Sequence, residues 1–155
     1  MIKDHPEIKF GKTGVLIVNL GTPDSTKWLD IRRYLKEFVS DRRVIEVNPI
    51  LWQLILNLII LNLRPSKTAK AYKEIWMKDI NMSPLMYYTK KQAEKVSNSI
   101  SNEEILVDFA MRYGNPSIKS KIKKLHDNGC ENLVILPLYP PVSYTHLRAH
   151  ETFAN

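Results

Sequence analysis

The residues best suited to chemistry fall in three short stretches: Asn19-Leu20-Gly21-Thr22-Pro23, Met111-Arg112-Tyr113-Gly114-Asn115 and Leu138-Tyr139-Pro140. Each follows an apolar run. Together they supply a glycine loop, an arginine, two tyrosines and neutral amides. Tyrosine rings stack on flat aromatic surfaces and a guanidinium pairs with carboxylate. The set therefore suits a flat aromatic ligand that carries carboxylates. It suits a triphosphate poorly, since neither a P-loop nor a Gly-x-Gly-x-x-Gly pattern follows the first run.

Histidine and cysteine offer less. A single cysteine, Cys130, excludes an internal disulfide framework and a multi-cysteine metal cluster, and a reducing compartment is the simplest reading. His126 follows an apolar stripe near the end of a helix, where a cation compensates the helix dipole. His146 and His150 have metal-ligand spacing on a helix but fall in a C-terminal stretch that carries no functional weight, for reasons given below.

The elements that must position the three stretches alternate. GVLIVNL, residues 14–20, is a continuous apolar run of the kind that forms a strand buried on both faces, and it leads into a turn at Gly21 with Asp24 or Ser25 able to cap a helix. Trp28, Ile31, Leu35 and Phe38 follow at helical spacing. A helical region interrupted by Pro49 and Pro65 comes next, resuming over residues 68–77. Ser83-Pro84 reads as a turn and residues 89–100 as an amphipathic helix. A second strand spans 105–113 and stops at Gly114, with Asn115 as N-cap and Pro116 as the first helical residue. Ile118, Ile122 and Leu125 form an apolar stripe ending at Gly129, a good cap, and residues 132–139 make a third strand. Strands alternating with helices predict an α/β fold, a doubly wound parallel sheet whose ligand lies beyond the carboxyl ends of the strands. The three stretches lie at those ends.

Composition bounds the partners. The chain has 155 residues, 44% hydrophobic and 25% charged, which excludes a disordered or low-complexity scaffold. Twenty-three basic against sixteen acidic residues give +7. The basic residues are dispersed, without an arginine-rich block or a basic-aromatic stripe, so no nucleic-acid partner is expected. The N-terminus has acids and a proline where a signal peptide needs an apolar core, which predicts a cytoplasmic protein. The apolar run ILWQLILNLIILNL begins at Ile50 and ends at Leu63. Fourteen helical residues rise about 21 Å, too short for the ~30 Å hydrocarbon core. Apolar residues around most of such a helix call for a cover, and the neighbouring Arg42, Arg43, Arg64 and Lys67 suit an anionic membrane surface.

The same junctions carry a family resemblance. LIVNLGTPDS, IRRYLKEFVSDRRVIE, SPLMYYTKKQAE, MRYGNPSI and LPLYP occur in the order and spacing of the N-terminal half of ferrochelatase, from Gly14 to Pro140. The resemblance implies a metal chelatase that inserts ferrous iron into a porphyrin, the last step of protohaem synthesis in many bacteria. It implies two doubly wound α/β domains with the macrocycle between them, and no resident cofactor beyond those two substrates. Carried over residue by residue, it places Asn19, Leu20, Gly21, Thr22 and Pro23 in the loop lining the cleft. Arg112 and Tyr113 resemble the pair facing the macrocycle, and Tyr139 the tyrosine after the third strand. Arg64, Tyr72 and Ser83 resemble positions at the mouth and propionate side, and the apolar run resembles a lip that meets the bilayer, which places the protein peripherally on the inner membrane face.

The departures from the family pattern are informative. The family's catalytic histidine, in a Ser-x-His-Gly-x-Pro-like loop, and its partner acid belong to the other half, and none of His5, His126, His146 and His150 sits in such a loop. Metal insertion needs a base for the pyrrole protons and ligands to hand over iron. The expectation is a first domain over 1–140, without its second domain and inactive alone. Beyond Pro140 the family continues with a Gln-Tyr-Ser-like stretch, whereas this chain reads PVSYTHLRAHETFAN, which resembles a translated sequencing adapter. Residues 141–155 are therefore expected to be a non-native tail. The alternative is a non-catalytic α/β module that binds a carboxylated aromatic ligand.

Overall fold

Lys12–Thr22 forms β1, the middle strand of a three-stranded parallel sheet of order β2-β1-β3, with β2 at Ile105–Gly114 and β3 at Cys130–Pro137. The computed structural model describes residues 11–41, 48–100 and 102–139. The expected tail over 141–155, and Arg42 and Arg43, lie outside the described residues.

The uninterrupted apolar run of β1 is explained by its place. Leu16, Ile17 and Val18 are all buried. Even-numbered side chains face one side of the sheet, where Leu16, Val18, Ala110, Leu125 and Cys130 make one core beneath α5 (Ile118–Asp127). On the opposite side Asn19 meets α4 (Pro84–Ser99) through Thr89. Helices on both faces of a parallel sheet are the predicted α/β architecture.

A second core lies between helices. Ile31 and Leu35 of α1 (Trp28–Ser40) pack with Leu56, Leu61 and Ala69. Those last residues come from a helical run made of α2 (Pro49–Ile55), a π-helical segment (Leu56–Ile60) and α3 (Leu61–Ile75). The step of five from Leu56 to Leu61, followed by steps of four to Pro65 and Ala69, matches one widened turn and then regular helix.

Several local expectations change. Pro65 lies inside α3 instead of interrupting it. Its missing N–H leaves the Leu61 carbonyl without its usual partner, and Arg32 Nε donates to that carbonyl at 3.2 Å. Pro49 opens α2. Neither Asp24 nor Ser25 caps α1, whose N-cap is Lys27; Ser25 instead accepts from the Lys27 N–H and donates to Asp30. Helix α4 starts at Pro84, five residues ahead of the amphipathic pattern, because Ser83 caps it by accepting from the Met86 N–H at 3.2 Å. The cap of α5 is Ser117, not Asn115, and Pro116 precedes the helix. The Pro116 carbonyl accepts from the Met111 N–H at 2.8 Å, which keeps this segment extended past the residue read as a cap. β1 runs through Gly21 to Thr22, and β3 begins and ends two residues early.

Candidate functional site

The strand ends close on one another before they open into the site. Gly21 pairs with Tyr113 and Thr22 with Gly114. Gly21 has φ +127° and Gly114 φ +84°, conformations that side-chain-bearing residues avoid. A Cβ on Gly21 would overlap the Tyr113 carbonyl, and one on Gly114 would stand 2.6 Å from the Thr22 carbonyl oxygen. Only glycines let the loop of β1 lie directly against the arginine and tyrosine of β2.

Arg112 and Tyr113 line a cavity of about 530 Å³ with Arg33, Lys36, Glu37, Ser40 and Asp41. Three cations face two carboxylates there. Arg112 Nη2 donates to Asp41 Oδ2 at 2.8 Å, and Tyr113 Oη donates to the same oxygen at 2.9 Å. The guanidinium also lies 5.4 Å from the Tyr113 ring centre. Partial burial pulls its pKa down, yet the hydrogen bond to Asp41, the neighbouring Tyr113 hydroxyl and the charge of Asp41 together outweigh that, so its proton is held more tightly than usual. Such a rim can bind a carboxylate through arginine and an aromatic plane through tyrosine.

The first-strand loop is built from inside. Asn19 Nδ2 donates to Thr89 Oγ1 at 2.9 Å, and its Oδ1 accepts from the Leu20 N–H at 2.8 Å, so its amide braces the loop. Thr22 and Pro23 are buried, and the Thr22 hydroxyl has no partner among the described residues. Leu20 is half-buried. Tyr34 donates to the Gly21 carbonyl at 3.3 Å, and burial pushes its phenol pKa up.

The other anticipated residues are only partly gathered with these. Ser83 and Pro23 line a second cavity, about 330 Å³, with Asp24, Trp76, Met86 and Asn115. Arg64 and Tyr72 line a third, about 590 Å³, on α3 with Lys67 and Thr68. Tyr139 packs, half-buried, against the core under α5, where Leu16 and Val18 lie. His126 is exposed in the last turn of α5. Because α5 runs back between two parallel strands, that turn lies at the end of the sheet opposite the rim.

Sequence reading missed what connects the cavities. Rings follow one another from Tyr113 to Phe38 (5.1 Å), Tyr34 (6.1 Å), Tyr72 (6.4 Å) and Trp76 (6.4 Å). Tyr34, Phe38 and Asp41 recur at steps of four and three, which puts them on one face of α1. That spacing was the available signal. Glu37, one turn before Asp41, accepts from the Gly114 N–H at 2.8 Å. Asn115 Nδ2 donates to both carboxylate oxygens of Asp24, at 2.9 and 3.1 Å, tying the two strand ends together.

Comparison with known proteins identifies the family. The ferrochelatase family profile matches residues 12–153. The ferrochelatase of Allorhizobium ampelinum is 54% identical over 138 residues, 88% of this chain and 40% of that protein. Ferrochelatases of Francisella tularensis subspecies holarctica and tularensis are 55% and 54% identical over 137 residues, again 88% of this chain. The chain spans about 40% of the length of the curated relatives it matches. It belongs to the ferrochelatase family.

Proposed function

We propose that this ferrochelatase-family chain supplies the porphyrin-facing wall of an enzyme that inserts ferrous iron into a porphyrin during haem synthesis. The observation that carries the reading is the joining of the Gly21 loop to Arg112 and Tyr113 at one rim, beside a cavity lined by three cations and two carboxylates. Porphyrin offers the matching chemistry, a flat conjugated ring with carboxylate arms. Arg112 takes a carboxylate and Tyr113 offers its ring. Gly21, Thr22 and Pro23 bring backbone close to the macrocycle, and Asn19 holds Leu20 in place. Arg64, Tyr72 and Ser83 line the flanking approach, and Tyr139 closes the third strand end. The +7 charge favours approach of an anionic ligand.

Insertion also requires removal of the pyrrole protons and delivery of the metal. Among the described residues no group of three or more histidine, cysteine, aspartate or glutamate side chains converges on a metal-sized site, and His126 lies away from the rim. We propose, from the family resemblance, that these residues by themselves bind porphyrin without metallating it. Absorbance titration with a dicarboxylic porphyrin, followed by ferrous iron or zinc, tests both parts. Saturable binding with an unchanged free-base spectrum after metal addition is expected. No binding removes the porphyrin reading, and metallation by this chain alone removes the second part.

The exposed leucines of α2, the π segment and α3 support a peripheral membrane contact at the cytoplasmic face. Leu51, Leu54, Leu58, Ile59 and Leu63 are each more than half exposed, with Arg64 and Lys67 following. Among the described residues no helix is long and apolar enough to cross a membrane. Such a stripe beside cations suits shallow insertion among anionic headgroups.

A further inference from the structure

We infer that Asp41 is a positioning residue that aims Arg112 at a ligand carboxylate and withholds the Tyr113 hydroxyl from the ligand. This rests on the reading of the cavity as a carboxylate site. Asp41 sits immediately after α1, a helix whose last turn contains no basic residue. Arg112 comes from the far strand, 71 positions along the chain, and brings its cation to that helix end, where the dipole favours it.

One oxygen does two things. Asp41 Oδ2 accepts from Arg112 Nη2 and from Tyr113 Oη, so a single side chain orients consecutive residues of β2. Its carboxylate is only 15% exposed, against 35% for Arg112, so the contact is sheltered from screening by water. Glu37 fixes the Gly114 N–H from the same helix, which holds the strand end in register with α1.

The contact to Arg112 is end-on, through one nitrogen. Arg112 lines the cavity and its side chain is 35% exposed there. A guanidinium has five donors, enough to keep Asp41 and still grip an incoming carboxylate with a second edge. Asp41 thus orders the arginine before the ligand arrives, which lowers the entropy lost on binding. The Tyr113 hydroxyl is already donated, so this residue meets the ligand through its ring.

The test compares a dicarboxylic porphyrin with its dimethyl ester, titrated by fluorescence into the full chain and its variants. Wild type is expected to prefer the acid by roughly tenfold or more, as a charge-assisted pair gives. Arg112→Ala should abolish the preference. Asp41→Ala should abolish most of it, and the double variant should match Arg112→Ala. Asp41→Asn, which keeps an acceptor, should restore part of the preference. Tyr113→Phe should shift the acid affinity less than about twofold, within the range of non-critical contacts. If Arg112→Ala abolishes the preference and Asp41→Ala or Asp41→Asn leaves it intact, the positioning role is wrong and the carboxylate site stands. Tighter acid binding by Asp41→Ala would make Asp41 a competitor and equally overturn the inference. A preference unaffected by Arg112→Ala would remove the site itself. Circular dichroism identifies variants that do not fold, and Asp41→Asn then carries the test.

Discussion

Two apolar runs of this chain, GVLIVNL in β1 and ILWQLILNLIILNL across α2, the π segment and α3, look alike as strings but differ in what surrounds them. In β1, Leu16 and Ile17 are at most 1% exposed, enclosed by neighbouring strands and by helices on both faces. In the helical run Leu56 and Leu61 are fully buried, whereas Leu58 and Leu63 are 63% and 71% exposed. The first run holds the rim where the candidate site lies. The second uses one stripe as core against α1 and leaves the other open. Hydrophobicity alone therefore does not separate a residue that stabilises the fold from one available to a surface; the face it occupies does.

The sharpest way to break the β1 side of this contrast is Gly21→Ala. The positive φ and the overlap with the Tyr113 carbonyl predict a loss of about 3–5 kcal/mol, read by chemical denaturation. A loss below 1 kcal/mol would mean that the strand ends can separate cheaply. Next comes paired truncation. Leu16→Ala should cost about 2–5 kcal/mol through its cavity, while Leu58→Ala should stay within about 0.5 kcal/mol of wild type. Equal costs would erase the distinction between the runs.

Much of this architecture was legible in advance. The three strands, their parallel direction and the turns at their carboxyl ends follow from apolar runs followed by glycine and proline. What was not legible depended on distant partners. Pro65 reads as a helix breaker until Arg32, from another helix, is seen to accept the role of partner for the Leu61 carbonyl. Asn115 reads as a cap until Asp24, 91 residues away, claims its amide. The spacing of Tyr34, Phe38 and Asp41 shows a shared face but not the role of Asp41, which comes from Arg112 and Tyr113 on a strand far along the chain. Arg64 and Tyr72, close to one another on α3, were readable as neighbours, but not their assignment to a cavity separate from that of Arg112.

A smaller effect sharpens the sheet side further. Asp108 on β2 binds Lys121 Nζ at 2.7 and 2.9 Å and Lys124 Nζ at 3.0 Å. Burial raises its pKa, but these cations and the Phe109 N–H outweigh that and leave it below the usual carboxylate value. A depressed folded-state pKa gives stability that is present above the unfolded value, about 3.9, and lost as pH falls through the lower folded value. Asp108→Asn should cost about 2 kcal/mol at neutral pH and remove that part of the acid-side slope, measured by denaturant melts from pH 7 to pH 2. An unchanged slope would show that the ion pair is not linked to folding.

The smallest expected effect on the fold, and the most selective for the helical run, is Leu54→Glu with Leu58→Glu. Both positions are exposed, so the melting temperature should stay within a few degrees of wild type. Co-sedimentation with anionic vesicles should fall to background. Undiminished sedimentation would take the membrane role away from this stripe.

The central claim is that the rim made by β1 and β2 faces the porphyrin. It is tested most directly by titrating a dicarboxylic porphyrin into the isotopically labelled chain and following amide shifts, since the macrocycle ring current marks whatever lies over its face. The account predicts the largest shifts at Leu20, Gly21, Thr22, Arg112, Tyr113 and Gly114, with the amides of α5 and β3 nearly still. Shifts confined to the exposed stripe of residues 51–63 or to β3, with the Gly21 and Arg112 amides unmoved, would contradict it.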